Sequence, residues 1–182
     1  VYYDKEEMME LTKKDETHNW LRKKNRLYED QLNHLRKYKV TFQNQLSICF
    51  PGYLDLFKDG YSDIPMTILK KYPHPDLLKN KKSETVARYL EKNTCHTHKV
   101  SLEYALKIIE FAKKTYPGCE KDDVEVEIFK ILLDKVIETQ RECEKTLNEM
   151  ITVASTLEEY RYISSIDGIG PNLAARIIAE IG

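Results

Sequence analysis

The sequence predicts an all-α protein: an elongated antiparallel coiled coil of two long helices, a small helical insertion between them, and a closing helix–turn–helix pair. Three observations carry this expectation. Glycine and proline are scarce, six each in 182 residues, and they cluster, leaving long stretches without helix breakers. Two of those stretches set apolar residues at alternating steps of three and four. No stretch alternates convincingly at period two, so no significant sheet is expected.

The first long helix is expected over residues 1–50. Between about Lys5 and Cys49 there is neither glycine nor proline. Leu11, Leu21, Tyr28, Leu32, Leu35, Phe42, Leu46 and Cys49 form an apolar seam, and Lys14, His18, Asn25 and Lys39 complete its register. Polar residues in such a seam weaken it but fix its alignment. A helix of this length reaches roughly 65 Å at ~1.5 Å per residue. Phe50-Pro51-Gly52 ends it.

The insertion, 51–118, holds three shorter helices. "SDIPMTILKKY" offers Ser62 or Asp63 as a cap and Pro65 in the first turn. "KSETVARYLEKN" offers Ser83 as a cap and sets Val86 and Leu90 four apart. "KVSLEYALKIIEFAKKTYPG" is amphipathic through Leu102, Ala105, Leu106, Ile109 and Phe111 or Ala112, and stops at Pro117-Gly118. The second long helix is expected within 119–157, along Phe129, Leu132, Val136, Thr139, Cys143, Thr146, Met150, Val153 and Leu157. Ile128, Ile131, Leu133 and Ile137 broaden the first half of that stripe, which suits more than one packing neighbour. The last segment, 158–182, reads as a helix through Leu157, Tyr160 and Ile163, a two-glycine turn, and a helix whose apolar face is Leu173, Ala174, Ile177, Ile178 and Ile181.

The net charge of −1 hides an asymmetry. From Trp20 to Gln45 seven bases (Arg22, Lys23, Lys24, Arg26, Arg36, Lys37, Lys39) stand against Glu29 and Asp30, whereas from Glu120 to Glu149 ten acids stand against five bases. The favoured pairing is antiparallel, within one chain or between two, with the basic and acidic helices as partners; alternatively one segment faces nucleic acid, or each is a solvated helix face. The basic residues Arg22, Lys23, Lys24, Arg26, Arg36 and Lys37 are the candidates for phosphate contact, through charge neutralisation and counterion release. They span more than one turn, so some of them are ordinary surface.

Catalytic signals are missing. There is no P-loop, nucleophile elbow or HExxH, and no catalytic residue is assigned. Cys95, His96 and His98 are the one metal-like cluster, but no second cluster completes a ligand set, and a polar loop accounts for them. Asp122-Asp123 suit the first turn of a helix. Four dispersed cysteines without a CxxC pair, no apolar run of membrane-spanning length and no signal pattern point to a soluble cytoplasmic protein without a membrane partner. A chain that opens on Val1 and ends in mid-pattern is expected to be a piece of a longer protein.

The terminal "GIGPNL" fails as a dinucleotide fingerprint, because Leu173 takes the place of the third glycine and no strand precedes it. Ile166, Gly168, Ile169, Gly170 and Ala174 instead resemble the helix-hairpin-helix motif, usually a binder of nucleic-acid backbone without sequence preference. Gly168, Ile169, Gly170, Asn172 and Arg176 are its candidate contacts, with exposed amides at the start of the last helix able to hold a phosphate.

More broadly, "KNRL" with the following "FPG", "KKYP" and "YISSIDGIGPNLAARIIAEIG" resemble the middle of a DEDD transposase of the insertion-sequence one-ten family, with Asp167 where that family usually has proline. The resemblance covers essentially the whole chain. It implies a RuvC-like nuclease domain before this region, a coiled coil, and a serine-bearing transposase domain after it. It also implies DNA cutting and rejoining directed in many members by structured RNA, a prokaryotic cytoplasmic setting, and homodimers or higher homo-oligomers through the coiled coil. The family's metal-binding acids and nucleophilic serine have no counterpart position here, so no cofactor is expected in this chain and a divalent metal belongs to the nuclease domain. Ser164 and Ser165 are not nucleophile candidates. The alternative reading is a structural coiled-coil adaptor without nucleic-acid binding.

Overall fold

The computed structural model describes the backbone of residues 5–181 and the side chains of residues 16–181. Leu11 and Lys14 of the expected first seam therefore lie outside the described side chains. Among the described residues there is no strand; seven α-helices follow one another as α1 (Lys5–Cys49), α2 (Asp63–Lys71), α3 (Ser83–Asn93), α4 (His98–Lys114), α5 (Val124–Ala154), α6 (Glu158–Ser164) and α7 (Pro171–Ile181). Short 3-10 turns occupy Leu54–Leu56 and Pro75–Leu77. No described helix is long and apolar enough to cross a membrane.

Contacts divide the chain into two compact units. The first joins Val1–Arg36 to Thr139–Gly182, and the second is Lys37–Glu138. The four successive segments read from the sequence follow the order of the helices, whereas the compact units bring together residues far apart in the chain.

In the second unit, the end of α1 runs antiparallel to the start of α5. Phe42 stacks on Phe129 with ring centroids 5.3 Å apart, and Gln45 Nε2 donates to the Glu125 carbonyl at 3.0 Å. α1 stops at Cys49, just before Phe50, and Gly52 turns the chain at φ +73°, where any side chain would also crowd the Phe111 ring. Tyr53 is fully buried and its hydroxyl donates to the Pro65 carbonyl at 2.9 Å. α2 packs on α3, and α3 on α4. α4 buries Ala105, Ile108, Ile109 and Ala112 and leaves Leu106 exposed. Its inner stripe thus departs from the expected one because Ile108, next to Ile109, offers an equally apolar side chain on a neighbouring face. Asp122 and Asp123 precede α5 rather than opening it, and Asp123 Oδ1 accepts from the Glu125 amide at 3.3 Å.

In the first unit, α1 and α5 are joined by the α6–α7 pair. Leu21 of α1, Met150 and Ala154 of α5, and Ala175, Ile178 and Ala179 of α7 share one core, with Tyr28, Leu157, Tyr160 and Ile163 packed around it. The stripe of α7 is rotated from expectation. Ala174, Ala175, Ile178 and Ala179 are buried, while Leu173 and Ile181 are exposed. Three alanines permit close backbone approach and flank Ile178, the one large side chain that is fully inside.

Candidate nucleic-acid interface

The α6–α7 corner is built by local hydrogen bonding. At the end of α6 the Ser164 hydroxyl turns back to the Tyr160 carbonyl, and Ser165 Oγ donates to the Tyr162 carbonyl at 2.7 Å. Both serine hydroxyls therefore bond to backbone carbonyls of α6. The Ile169 amide closes a turn on the Ile166 carbonyl at 3.0 Å, and the Ala174 amide reaches the Gly170 carbonyl at 3.0 Å, starting the ladder of α7. Asn172 and Leu173 stand in the first turn of α7, where backbone amides have no carbonyl one turn earlier to bond.

The two glycines of the corner face open space. Gly168 adopts φ +86°. A Cβ placed on Gly168 or on Gly170 would meet no atom within 4 Å. Residues 164–168 and 170–173 are exposed, and Ile169 is half-buried. An approaching ligand can thus reach main-chain atoms that side chains would otherwise cover. Gly168, Ile169, Gly170 and Asn172 come together in this corner.

Arg176 turns elsewhere. Its guanidinium forms an ion pair with Glu29 of α1 and lies 5.6 Å over the Tyr28 ring, while its Nε is buried without a hydrogen-bond partner. Asn25 also reaches α7, donating from Nδ2 to Glu180 at 2.6 Å. Neither pairing was legible in sequence, because the partners are separated by about 150 residues and no local periodicity links them.

On the basic helix, Leu21, Asn25 and Leu35 face inward and Lys23, Arg26, Arg36 and Lys37 are exposed. Lys24 pairs with Glu149 of α5 at 2.6 Å, and that hydrogen bond holds the Glu149 carboxyl below its usual range. Arg36 donates to Asn33 Oδ1 at 2.8 Å. Beside this helix Trp20 borders an open groove of about 630 Å³ with Arg141, Glu144, Lys145 and Asn148, and Lys24 Nζ lies 5.3 Å from the Trp20 ring.

No protein-family model, curated protein or solved structure matches this chain.

Two histidines, His98 and His74, are held by neighbouring groups. His98 contacts Glu91 at 3.0 Å and Glu84 at 3.5 Å, whereas Cys95 and His96 are exposed. His74 is buried; its Nδ1 accepts from the Asp76 amide at 3.3 Å, which leaves Nε2 to donate to the Cys119 carbonyl at 3.1 Å. Among the described residues no group of three or more His, Cys, Asp or Glu side chains is placed to hold a metal ion.

Proposed function

We infer that this chain is a non-catalytic central piece of an insertion-sequence transposase. In this reading the α6–α7 corner is a helix-hairpin-helix that grips nucleic-acid backbone during DNA transposition. The paired α1 and α5 act as a coiled coil that spaces the catalytic domains and joins two copies. DNA and structured RNA are the partners, and catalysis, with its divalent metal, belongs to other parts of the protein.

The observation that carries the reading is the open two-glycine corner, exposed at the start of α7 and free of side chains above Gly168 and Gly170. Lys23 and Arg26, both exposed, can add phosphate neutralisation. The test is electrophoretic mobility of the chain with duplex DNA and structured RNA across a salt series. Affinity should fall steeply with salt. It should also drop in a Gly170→Asp variant and in a Lys23→Glu/Arg26→Glu variant, each with unchanged helicity. Salt-independent binding, or none to either nucleic acid, would sink the proposal.

One observation favours the adaptor reading. Lys24 and Arg176, two of the candidate phosphate contacts, are engaged by Glu149 and Glu29 within the same unit. An adaptor would show wild-type self-association with no mobility shift at any salt concentration.

A further inference from the structure

The connection between α4 and α5, residues 115–123, is non-helical and fastened to the end of α1. The Gly118 amide donates to the Ile48 carbonyl at 2.8 Å. Next to that bond Cys119 Sγ lies 3.8 Å from Cys49 Sγ, and the Cys119 carbonyl is held by His74. Cys49, the last residue of α1, is buried, Cys119 is half-buried, and both are free thiols.

We propose that Cys49 and Cys119 are an oxidative crosslinking site, closed by a hydroperoxide, that staples residues 49–119 of the second unit, with α2, α3 and α4, into a covalent ring. Cys119 is the entry point because it is the solvent-accessible partner. Its thiol ionises, and the sulfur attacks one peroxide oxygen. The O–O bond breaks and the departing hydroxide takes a proton to become water, leaving Cys119 as a sulfenic acid. Cys49 sulfur then attacks the Cys119 sulfur and displaces hydroxide, which leaves as water with the Cys49 proton. Two thiols are oxidised to one disulfide and one hydrogen peroxide is reduced to two waters.

The sulfurs must close from 3.8 Å to about 2.05 Å. Cys49 is fixed by its helix, so the movement falls to the non-helical segment that carries Cys119. A link across a sequence separation of 70 closes a long loop, and such links stabilise by restricting the unfolded chain.

Slow closure is expected at neutral pH. Burial pushes the Cys49 thiol up to about 12, and burial also raises Cys119. The Asp123 and Glu125 carboxylates oppose ionisation further, while Gln45 favours it at Cys49; His74 faces the pair through its bond to the Cys119 carbonyl. The crosslinking rate should therefore climb with pH, roughly tenfold per unit while both thiols remain protonated.

The test uses the full chain carrying Cys95→Ser, which removes the exposed competing thiol, with and without hydrogen peroxide. Unreduced peptide mapping should join the Cys49 and Cys119 peptides with loss of two hydrogens, reversibly by dithiothreitol. The oxidised chain should melt several degrees higher, and Cys119→Ser should abolish both effects. A Cys119 sulfinic acid with Cys49 unmodified would overturn the site. A crosslinked chain that melts no higher than the reduced one would overturn the staple. The same map on the chain with Cys95 retained gives the pairing independently, should Cys95→Ser disturb folding.

Discussion

At Gly168 an alanine would have to hold φ at +86°, while at Gly170 it would enter open space with no such constraint. The left-handed region costs a residue with a Cβ about 1–2 kcal/mol. Gly168→Ala should therefore lower the thermal midpoint. Gly170→Ala should leave stability within about 0.5 kcal/mol of the native chain, by denaturant titration of both variants. A large loss at Gly170 would show that the fold itself, rather than access to the backbone, needs that glycine. The pair of glycines was legible as a turn from sequence alone, but their different burdens were not. Dipeptide chemistry gives the turn, whereas φ and free space depend on the path of the chain. Lys24 and Glu149 show the same limit. Each was visible as a charge, and their pairing appeared only once α1 met α5. Because Glu149 is held below its usual range, the stability from this pair is present at neutral pH and is lost as the carboxyl protonates in the acid range. In Lys24→Gln that part of the acid-induced loss should disappear from the stability–pH curve.

Among the helices, α1 was the most legible. Leu21, Asn25, Leu35, Phe42, Leu46 and Cys49, all read as seam positions, are buried. In α5 the seam shifts by one residue at two places, with Leu133 buried in place of Leu132 and Ala154 in place of Val153. The run Ile131-Leu132-Leu133 is apolar at every step, so periodicity alone cannot choose which side chain points inward. Helix starts were harder. α3 begins at Ser83 with Lys82 in the capping position, and no side-chain cap is formed there. Where seam and packing agree, the energetic expectation is sharp. Phe129 is fully buried against Phe42, so Phe129→Ala should cost about 3–5 kcal/mol through lost burial and the cavity left behind. Urea unfolding of that variant checks it, and a loss below about 1 kcal/mol would mean that the stacked pair is not part of a tight core.

For the molecule as a whole, the division into two units was not read from sequence, because it rests on contacts between residues 1–36 and 139–182. If the proposed dimer forms through α1 and α5, light scattering should show molar mass rising toward twice the chain mass with concentration. A strict monomer over a wide range would remove that role. The placement of aromatic residues separates the units spectroscopically. Trp20 is the sole tryptophan of the sequence and belongs to the first unit, whereas tyrosines occur in both units. Indole emission excited at the red edge of the absorption band therefore reports on one unit alone, with no engineered dye. A melt followed at once by that emission and by the helical far-ultraviolet signal reveals whether the two units come apart together or in sequence.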